Sequence, residues 1–224
     1  MIAIIDYDAG NIKSVEKALV ALGEEAVVTR DPETILGADG VILPGVGSFG
    51  DAMDKLHTYG LIDVIHQVAD SGTPFLGICL GLQLLFESSE ESPGVEGLGI
   101  LKGKIVRIPD GEGIKIPHIG WNSLTYPNVG RLYAGIEENS YVYFVHSYYV
   151  RPDDPADSAA VCHYMIDFTA AGSLQMLFPF RNASPLVGCV RQDSILIVVV
   201  LPAPFTPSRE NSSPWRTERL RLST

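Results

Sequence analysis

A chain of 224 residues of which 46% are hydrophobic can bury a full core in one large domain, although two small domains would also fit this length. The formal net charge of −11 disfavours a nucleic-acid partner, because phosphate binding requires a basic surface. No apolar run reaches the roughly 18 residues of a membrane span, and no secretory signal precedes the first strand-like residues. The three cysteines lack the spacing of disulfide frameworks or zinc sites. We therefore expect one cytoplasmic domain that acts on a small molecule or a protein partner, with no metal and no cofactor.

Predicted strands and helices alternate through the first part of the chain. Apolar runs predict strands at residues 2–6, 25–29, 40–44 and 74–78. Apolar residues at helical spacing predict helices at residues 12–20 and 51–69. This alternation predicts an α/β fold with a mostly parallel central sheet and helices on both faces. Because ligands of such sheets bind beside the carboxyl ends of the strands, we expect the functional site there.

The middle of the chain has a different pattern, in which apolar and aromatic residues alternate between glycine-rich turns. This pattern predicts strands at residues 100–108, 141–150 and 159–165. We expect these strands to be antiparallel additions to the central sheet.

The composition changes again from about Gly172, where the chain becomes rich in Arg, Ser and Pro and poor in acidic residues. Residues 195–201 form one more strand-like run, whereas residues 202–224 are predicted to be disordered. We therefore divide the chain into a domain at residues 1–171 and an aberrant tail at residues 172–224.

The segment around Cys79 carries a chemical signal. Gly77 and Gly81 flank the cysteine between a predicted strand and an apolar helix, and they leave room for a strained elbow like that of G-x-S-x-G nucleophiles. A thiol at a helix N-terminus is expected to have a lowered pKa, because free N–H groups and the helix dipole stabilise the thiolate. We interpret Cys79 as a nucleophile, and the alternative is a buried structural cysteine.

A glycine-rich loop, Pro44-Gly45-Val46-Gly47-Ser48-Phe49-Gly50, follows the third predicted strand and precedes a helix. Its N–H groups can form an oxyanion hole beside Cys79, where one donor contributes about 3 kcal/mol of transition-state stabilisation. The same glycines match the G-x-G-x-x-G pattern of dinucleotide-binding loops, so a dinucleotide-binding module is an alternative, as is a plain turn. Against a dinucleotide, the loop does not follow the first strand, and Asp70, at the offset of the ribose-binding acid, closes a predicted helix.

These motifs give the chain a resemblance to a known family. The segment Gly77-Ile78-Cys79-Leu80-Gly81-Leu82-Gln83 resembles the nucleophile motif of class I (triad-type) glutamine amidotransferases, which have a flavodoxin-like fold. Further motifs resemble the glutaminase subunits of imidazole glycerol phosphate synthase, of histidine biosynthesis, and they lie at residues 5–11, 44–50, 115–122 and 145–148. The resemblance runs from Met1 to about Ala171.

The resemblance implies a mechanism and a partner. Cys79 would attack the side-chain amide of glutamine, ammonia would leave a glutamyl thioester, and water would release glutamate. The resemblance also implies a heterodimer with a synthase (cyclase) subunit, which is a (β/α)8 barrel. The ammonia would pass through this barrel to a ribonucleotide, and the products would be imidazole glycerol phosphate and an aminoimidazole carboxamide ribonucleotide. By position, the residues around the glutamine would be Gly45, Val46, Gly47, Gln83, His146, Ser147 and Tyr148. Those facing the partner near the ammonia passage would be Lys115, Pro117, His118, Trp121 and Asn122.

The chain departs from the family pattern at the general base. A thiol nucleophile needs a base and an orienting carboxylate, which the family supplies in a Phe-His-Pro-Glu-like motif. Residues 177–182 occupy that place without His or Glu, and His163, the one free histidine, lacks the local motif. Shifting the reading frame by one base over residues 178–182 can encode Phe-His-Ser-Glu, so our leading hypothesis is a frameshift near Gly172, and a divergent tail is the alternative. As written, the chain is predicted to lack normal glutaminase activity, which leaves a non-catalytic partner-binding subunit as an alternative.

Overall fold

Parallel strands form the centre of the fold in a computed structural model of the chain, which describes residues 1–128, Tyr133, residues 136–172 and the backbone of Leu196 and Ile197. Their positions confirm the predicted strands: β1 (Ile2–Ile5), β2 (Ala26–Thr29), β3 (Gly40–Leu43) and β4 (Phe75–Gly77). The strand order β4-β3-β1-β2 means that the chain starts in the middle of the sheet and later crosses to the other side of β1. Such a reversal opens a crevice at the carboxyl ends of β1 and β3.

Helices cover both faces of this sheet, as predicted. On one face α1 (Ile12–Ala21) packs Leu19 against Ile2, Ile4 and Ile42. The opposite face carries the alternate strand residues and the remaining helices: α2 (Pro32–Leu36), α3 (Phe49–Thr58), α4 (Ile62–Asp70) and α5 (Leu80–Leu84). Within the described ranges, no helix combines the length and the apolar character that crossing a membrane requires.

The single helix predicted at residues 51–69 is wrong, because the chain forms two helices there. Gly60 is left-handed, with a φ of 64°. The N–H of Leu61 donates a hydrogen bond to the carbonyl oxygen of Leu56 at 2.9 Å, and the N–H of Gly60 donates to the carbonyl oxygen of His57 at 3.0 Å. These bonds form a Schellman motif that ends α3 and turns the chain into α4.

A second sheet contains the remaining strands of the domain, in the order β5-β6-β9-β11-β10-β7-β8. The strands are β5 (Ser88–Ser89), β6 (Gly103–Arg107), β7 (His118–Thr125), β8 (Tyr141–His146), β9 (Tyr148–Pro152), β10 (Ser158–Tyr164) and β11 (Ile166–Gly172). All of its pairs are antiparallel except β5 with β6. The prediction that these strands extend the central sheet is wrong, because they pair with one another. Neither β7 nor β11 was among the predicted strands.

The strand predicted at residues 141–150 is interrupted at Ser147. Before this residue β8 pairs with β7, and after it β9 pairs with β6 and β11. The carbonyl oxygen of Ser147 accepts a hydrogen bond from the N–H of Ile108 at 2.9 Å. Ser147 is therefore a corner at which the chain changes its strand partners.

Beyond Gly172, the last residue of β11, the tail enters the described structure only at β12 (Leu196–Ile197), which pairs in parallel with β4. This strand lies inside the strand-like run predicted at residues 195–201. β11 includes Gly172, so it extends one residue past the predicted end of the domain. The predictions made for residues 177–182 and 202–224 lie outside the described residues.

Candidate active site

Cys79 occupies a sharp turn between β4 and α5, with a φ of 56° and a ψ of −112°. A non-glycine residue at positive φ is uncommon, and backbone strain of this kind clusters at functional sites. The turn is the strand-to-helix elbow that the Gly-x-Cys-x-Gly frame predicts. The strain at Cys79 is therefore consistent with a nucleophile held at the sheet edge.

Close backbone contacts explain both glycines of the elbow. A Cβ on Gly77 would lie 2.8 Å from the carbonyl oxygen of Gly81. A Cβ on Gly81 would lie only 1.9 Å from the carbonyl oxygen of Leu43, at the end of β3. The start of α5 thus packs against β3 and β4 too closely for any side chain at these two positions.

The glycine-rich loop after β3 packs directly against the elbow. The N–H of Leu80 donates a hydrogen bond to the carbonyl oxygen of Gly45 at 3.3 Å. The buried hydroxyl of Tyr7 donates to the carbonyl oxygen of Pro44 at 2.7 Å and fixes the start of the loop. The loop predicted as an oxyanion hole therefore lies beside Cys79.

The thiol of Cys79 has a raised pKa, because burial disfavours the thiolate. The N–H of Leu80 acts in the opposite direction but does not outweigh burial. The predicted lowering of the pKa is therefore wrong. The physical reason is that α5 has five residues, so little helix dipole opposes the desolvation of an enclosed sulfur. At neutral pH the thiol keeps its proton unless a base removes it.

Cys79 lines a cleft of about 520 Å³ at the crevice where the strand order reverses. A volume of this size is typical of small-molecule sites. The cleft brings together all the residues predicted to surround glutamine: Gly45, Val46, Gly47, Gln83, His146, Ser147 and Tyr148.

The cleft also has lining residues that sequence reasoning missed, namely Gly10, Asn11, Val15 and Glu91 among others. Glu91 is the one carboxylate among the described lining residues. Its Oε2 accepts a hydrogen bond from the N–H of Phe49 at 2.8 Å, which holds the side chain at the start of α3. Nothing in the local sequence marks Glu91, because it lies in a loop outside every motif and reaches the cleft only through the fold.

Hydrogen bonds connect three of the cleft residues. The carbonyl oxygen of Tyr148 faces Nε2 of Gln83 at 3.4 Å and Nδ1 of His146 at 3.0 Å. The other ring nitrogen of His146, Nε2, lies 3.0 Å from Nδ1 of His118. Gln83, His146 and Tyr148 therefore form a part of the cleft wall whose polar groups are bonded to one another.

The residues predicted to face a partner lie in β7 or just before it. Lys115, Pro117 and Trp121 are exposed, whereas Asn122 is half-buried and His118 is only 3% exposed. Because successive strand residues point to opposite faces, Trp121 faces outward while His118 and Asn122 share the inner face. The prediction that His118 faces the partner is therefore wrong.

The alternative of a dinucleotide-binding loop fails at the N-terminus of α3, where the phosphates would bind. The N–H of Phe49 is already bonded to Glu91, and that of Gly50 donates to the hydroxyl of Ser92 at 3.0 Å. Protein side chains thus occupy the anion-binding position. Within the described part of the chain, no cluster of three or more His, Cys, Asp or Glu side chains could hold a metal ion.

The chain is similar to known proteins in sequence and in fold. Residues 3–172 match the model of the family described as glutamine amidotransferase class-I. A protein of Moorella thermoacetica named imidazole glycerol phosphate synthase subunit HisH is 50% identical over 170 residues, covering 76% of this chain and 80% of the relative. A protein of Methanocaldococcus jannaschii with the same name is 51% identical over 154 residues, covering 69% and 76%.

Solved structures share the fold at much lower sequence identity. A structure described as a glutamine amidotransferase has a TM-score of 0.57 at 19% identity, covering 73% of this chain and 85% of that one. The glutaminase domain of Trypanosoma brucei CTPS has a TM-score of 0.57 at 16% identity, covering 90% and 85%. These structures support the fold and no finer similarity.

Proposed function

We propose that the cleft binds glutamine and that Cys79 attacks its side-chain amide, because the chain belongs to the class-I glutamine amidotransferase family. Within this family it is a HisH-type glutaminase subunit of imidazole glycerol phosphate synthase, in histidine biosynthesis. The observation that carries this proposal is that Cys79, the loop at residues 45–47 and Gln83 line one cleft. The thiolate sulfur bonds to the amide carbon, and the carbonyl oxygen becomes an oxyanion. The C–N bond then breaks, ammonia leaves with the thiol's proton, and water hydrolyses the glutamyl thioester to glutamate and free thiol.

The glycine-rich loop is proposed to stabilise the oxyanion. Gly45 holds the loop against the elbow, and Gly47 has a φ of 104°, which an L side chain rarely adopts. Such a backbone can aim the N–H groups of Val46 and Gly47 at the carbonyl oxygen of the bound amide. Each donor aimed at the oxyanion would contribute about 3 kcal/mol in the transition state.

We propose that Glu91 binds the α-ammonium group of glutamine. The negative charge of the Glu91 carboxylate complements the positive charge of the ammonium group. The side chain of Glu91 is already fixed by its hydrogen bond from the N–H of Phe49. Gln in place of Glu91 keeps the bond to Phe49 but removes the charge. Because a hydrogen bond to a charged group contributes about 1.5–3 kcal/mol, we expect Glu91→Gln to weaken glutamine binding roughly 10- to 100-fold, measured by titration calorimetry.

Glu90→Gln is the matched control for this experiment. Glu90 is exposed, does not line the cleft and accepts a hydrogen bond from the N–H of Arg107. We expect this variant to bind glutamine like the parent chain. Parental affinity in Glu91→Gln, or equal losses in both variants, would contradict the role of Glu91.

We propose that the synthase partner, a (β/α)8 barrel, binds the outer face of β7 and β8 to form a heterodimer. This face, called here the β7–β8 apolar face, consists of Ile119, Trp121, Tyr141 and Val145, which are 46–61% exposed. Large exposed apolar patches mark interaction sites. Val145 also lines the cleft, so ammonia released at Cys79 would have a short path to a partner seated on this face.

Trp121 is expected to contribute most to partner binding. Its indole packs edge-on against Tyr143 at 5.4 Å between ring centroids, which presents a fixed aromatic anchor of the kind found at binding hot spots. We expect Trp121→Ala to weaken the affinity for the purified synthase subunit by about 30-fold, a loss of about 2 kcal/mol. Leu22→Ala, which truncates a residue 60% exposed at the end of α1, is the control and should leave the affinity unchanged. Parental affinity in Trp121→Ala would place the partner elsewhere.

We also propose that the chain as written lacks the base that a glutaminase needs. His146 is the one histidine among the described cleft residues, and its two ring nitrogens already face Tyr148 and His118. It is therefore not placed to accept the proton of Cys79. Residues 177–182 carry no His or Glu where the family has both, and a frameshift near Gly172 explains this loss.

A further inference from the structure

Two histidines face each other across β7 and β8 and connect to the glutamine site. His118 and His146 are directly opposite in the antiparallel register. Nδ1 of His118 lies 3.0 Å from Nε2 of His146, whose Nδ1 lies 3.0 Å from the carbonyl oxygen of Tyr148. That oxygen also accepts from Nε2 of Gln83 at 3.4 Å. A continuous line of hydrogen bonds thus runs from the interior of the second sheet to the cleft.

The chemistry of the acceptors determines where each hydrogen lies. A carbonyl oxygen only accepts, so Nδ1 of His146 carries the hydrogen. Burial lowers the pKa of His146 and lowers that of His118 to about 4, so both rings are neutral at pH 7. Nε2 of His146 is then an acceptor, and Nδ1 of His118 is its donor.

Packing holds the His118 ring in the orientation that this donation needs. The ring is stacked between Phe144, at 4.8 Å between centroids, and Tyr164, at 3.8 Å. The hydroxyl of Tyr164 donates to the carbonyl oxygen of Lys115 at 2.9 Å and accepts from its N–H at 3.3 Å. His118 is therefore fixed between the buried ring of Phe144 and the hydrogen-bonded ring of Tyr164.

We propose that His118 is a positioning residue of the glutamine site, acting through His146 and the Tyr148 carbonyl on the amide of Gln83. With its hydrogen on Nε2 instead, His146 would turn a lone pair toward the Tyr148 carbonyl, and two acceptors would face each other at 3.0 Å. By donating to Nε2, His118 excludes this tautomer and stabilises the corner at Ser147. The inference rests on the proposed function, because orienting Gln83 matters only if the cleft binds glutamine.

The first test reads the hydrogen positions in the parent chain. Nitrogen-15 spectra of the imidazole rings of the full chain at pH 7 report which nitrogen of each histidine carries the hydrogen, and His118→Phe and His146→Phe assign the signals of these two rings. We expect His118 and His146 both to carry it on Nδ1. A hydrogen on Nε2 of His146 would overturn the proposal.

The second test separates the hydrogen bond from ring packing. His118→Phe keeps an aromatic ring between Phe144 and Tyr164 but removes the donor, whereas His118→Asn loses the ring and keeps an N–H near the position of Nδ1. We expect roughly tenfold weaker glutamine binding in His118→Phe, by calorimetry, and a smaller loss in His118→Asn. Parental affinity in folded His118→Phe, or a larger loss in His118→Asn, would overturn the proposal. If the parent chain binds no glutamine, the proposed function fails, while the nitrogen spectra still decide whether the hydrogen-bonded line exists.

Discussion

Gly81→Ala is expected to lower the free energy of unfolding by at least about 3 kcal/mol, the upper part of the usual range for overpacking. The new Cβ would lie 1.9 Å from the carbonyl oxygen of Leu43 and 2.8 Å from its carbonyl carbon. Both are backbone atoms, so no flexible side chain can move aside, and α5 must separate from β3. In a chain of this length the loss corresponds to a fall of roughly 6–12 °C in Tm, measured by thermal unfolding.

Gly40→Ala is the matched control for this prediction. Its Cβ would lie 3.6 Å from the carbonyl oxygen of Pro74, which is an ordinary contact, and Gly40 is not at positive φ. We expect this variant to change the free energy of unfolding by less than about 1 kcal/mol. Equal stability of the two variants would contradict the close packing of the elbow.

Glutamate release by the chain with its synthase partner is expected to be at least about 100-fold slower than in a HisH relative that has the complete triad, because a positioned acid–base group contributes about 10²–10⁴-fold. The raised pKa of Cys79 makes a base necessary, and His146, the histidine of the described cleft, already has both nitrogens engaged. The measurement is a coupled glutamate assay at saturating glutamine and partner. Cys79→Ala provides the background rate.

A Cys79-dependent rate close to that of the relative would contradict the missing base.

Sequencing the gene from native DNA across codons 165–190 tests whether a frameshift caused the loss of the base. We expect an extra or missing base, whose correction restores a His and a Glu in the motif. If the native gene encodes the present sequence, this result would contradict the frameshift and favour a damaged or non-catalytic partner-binding subunit.

Local sequence patterns predicted the parallel strands and the elbow, because each depends on residues that are close in the chain. Periodicity missed the break between α3 and α4, since each helix has apolar residues at helical spacing and only the short left-handed turn at Gly60 separates them. The corner at Ser147 was missed for a related reason, because β8 and β9 form one apolar and aromatic run and differ only in their strand partners.

For the candidate site, too, local sequence patterns predicted only the features that depend on residues close in the chain. The residues at 45–47, Cys79 and Gln83 belong to motifs, and the fold brings them together in one cleft. Glu91 could not be predicted, because its place in the cleft depends on the position of a loop relative to α3. The pKa of Cys79 was predicted in the wrong direction because burial, which opposes the helix N-terminus, is a property of the tertiary structure.

The most direct test of Cys79 as the nucleophile of a glutamine site is covalent labelling by a glutamine-like electrophile, read by mass spectrometry of peptides. The reaction is run at alkaline pH, because burial raises the pKa of the thiol. We predict one adduct, on Cys79, that forms more slowly when L-glutamine is added and is absent in Cys79→Ala. No adduct on Cys79, or labelling that glutamine does not slow, would contradict a nucleophile in a glutamine-binding cleft.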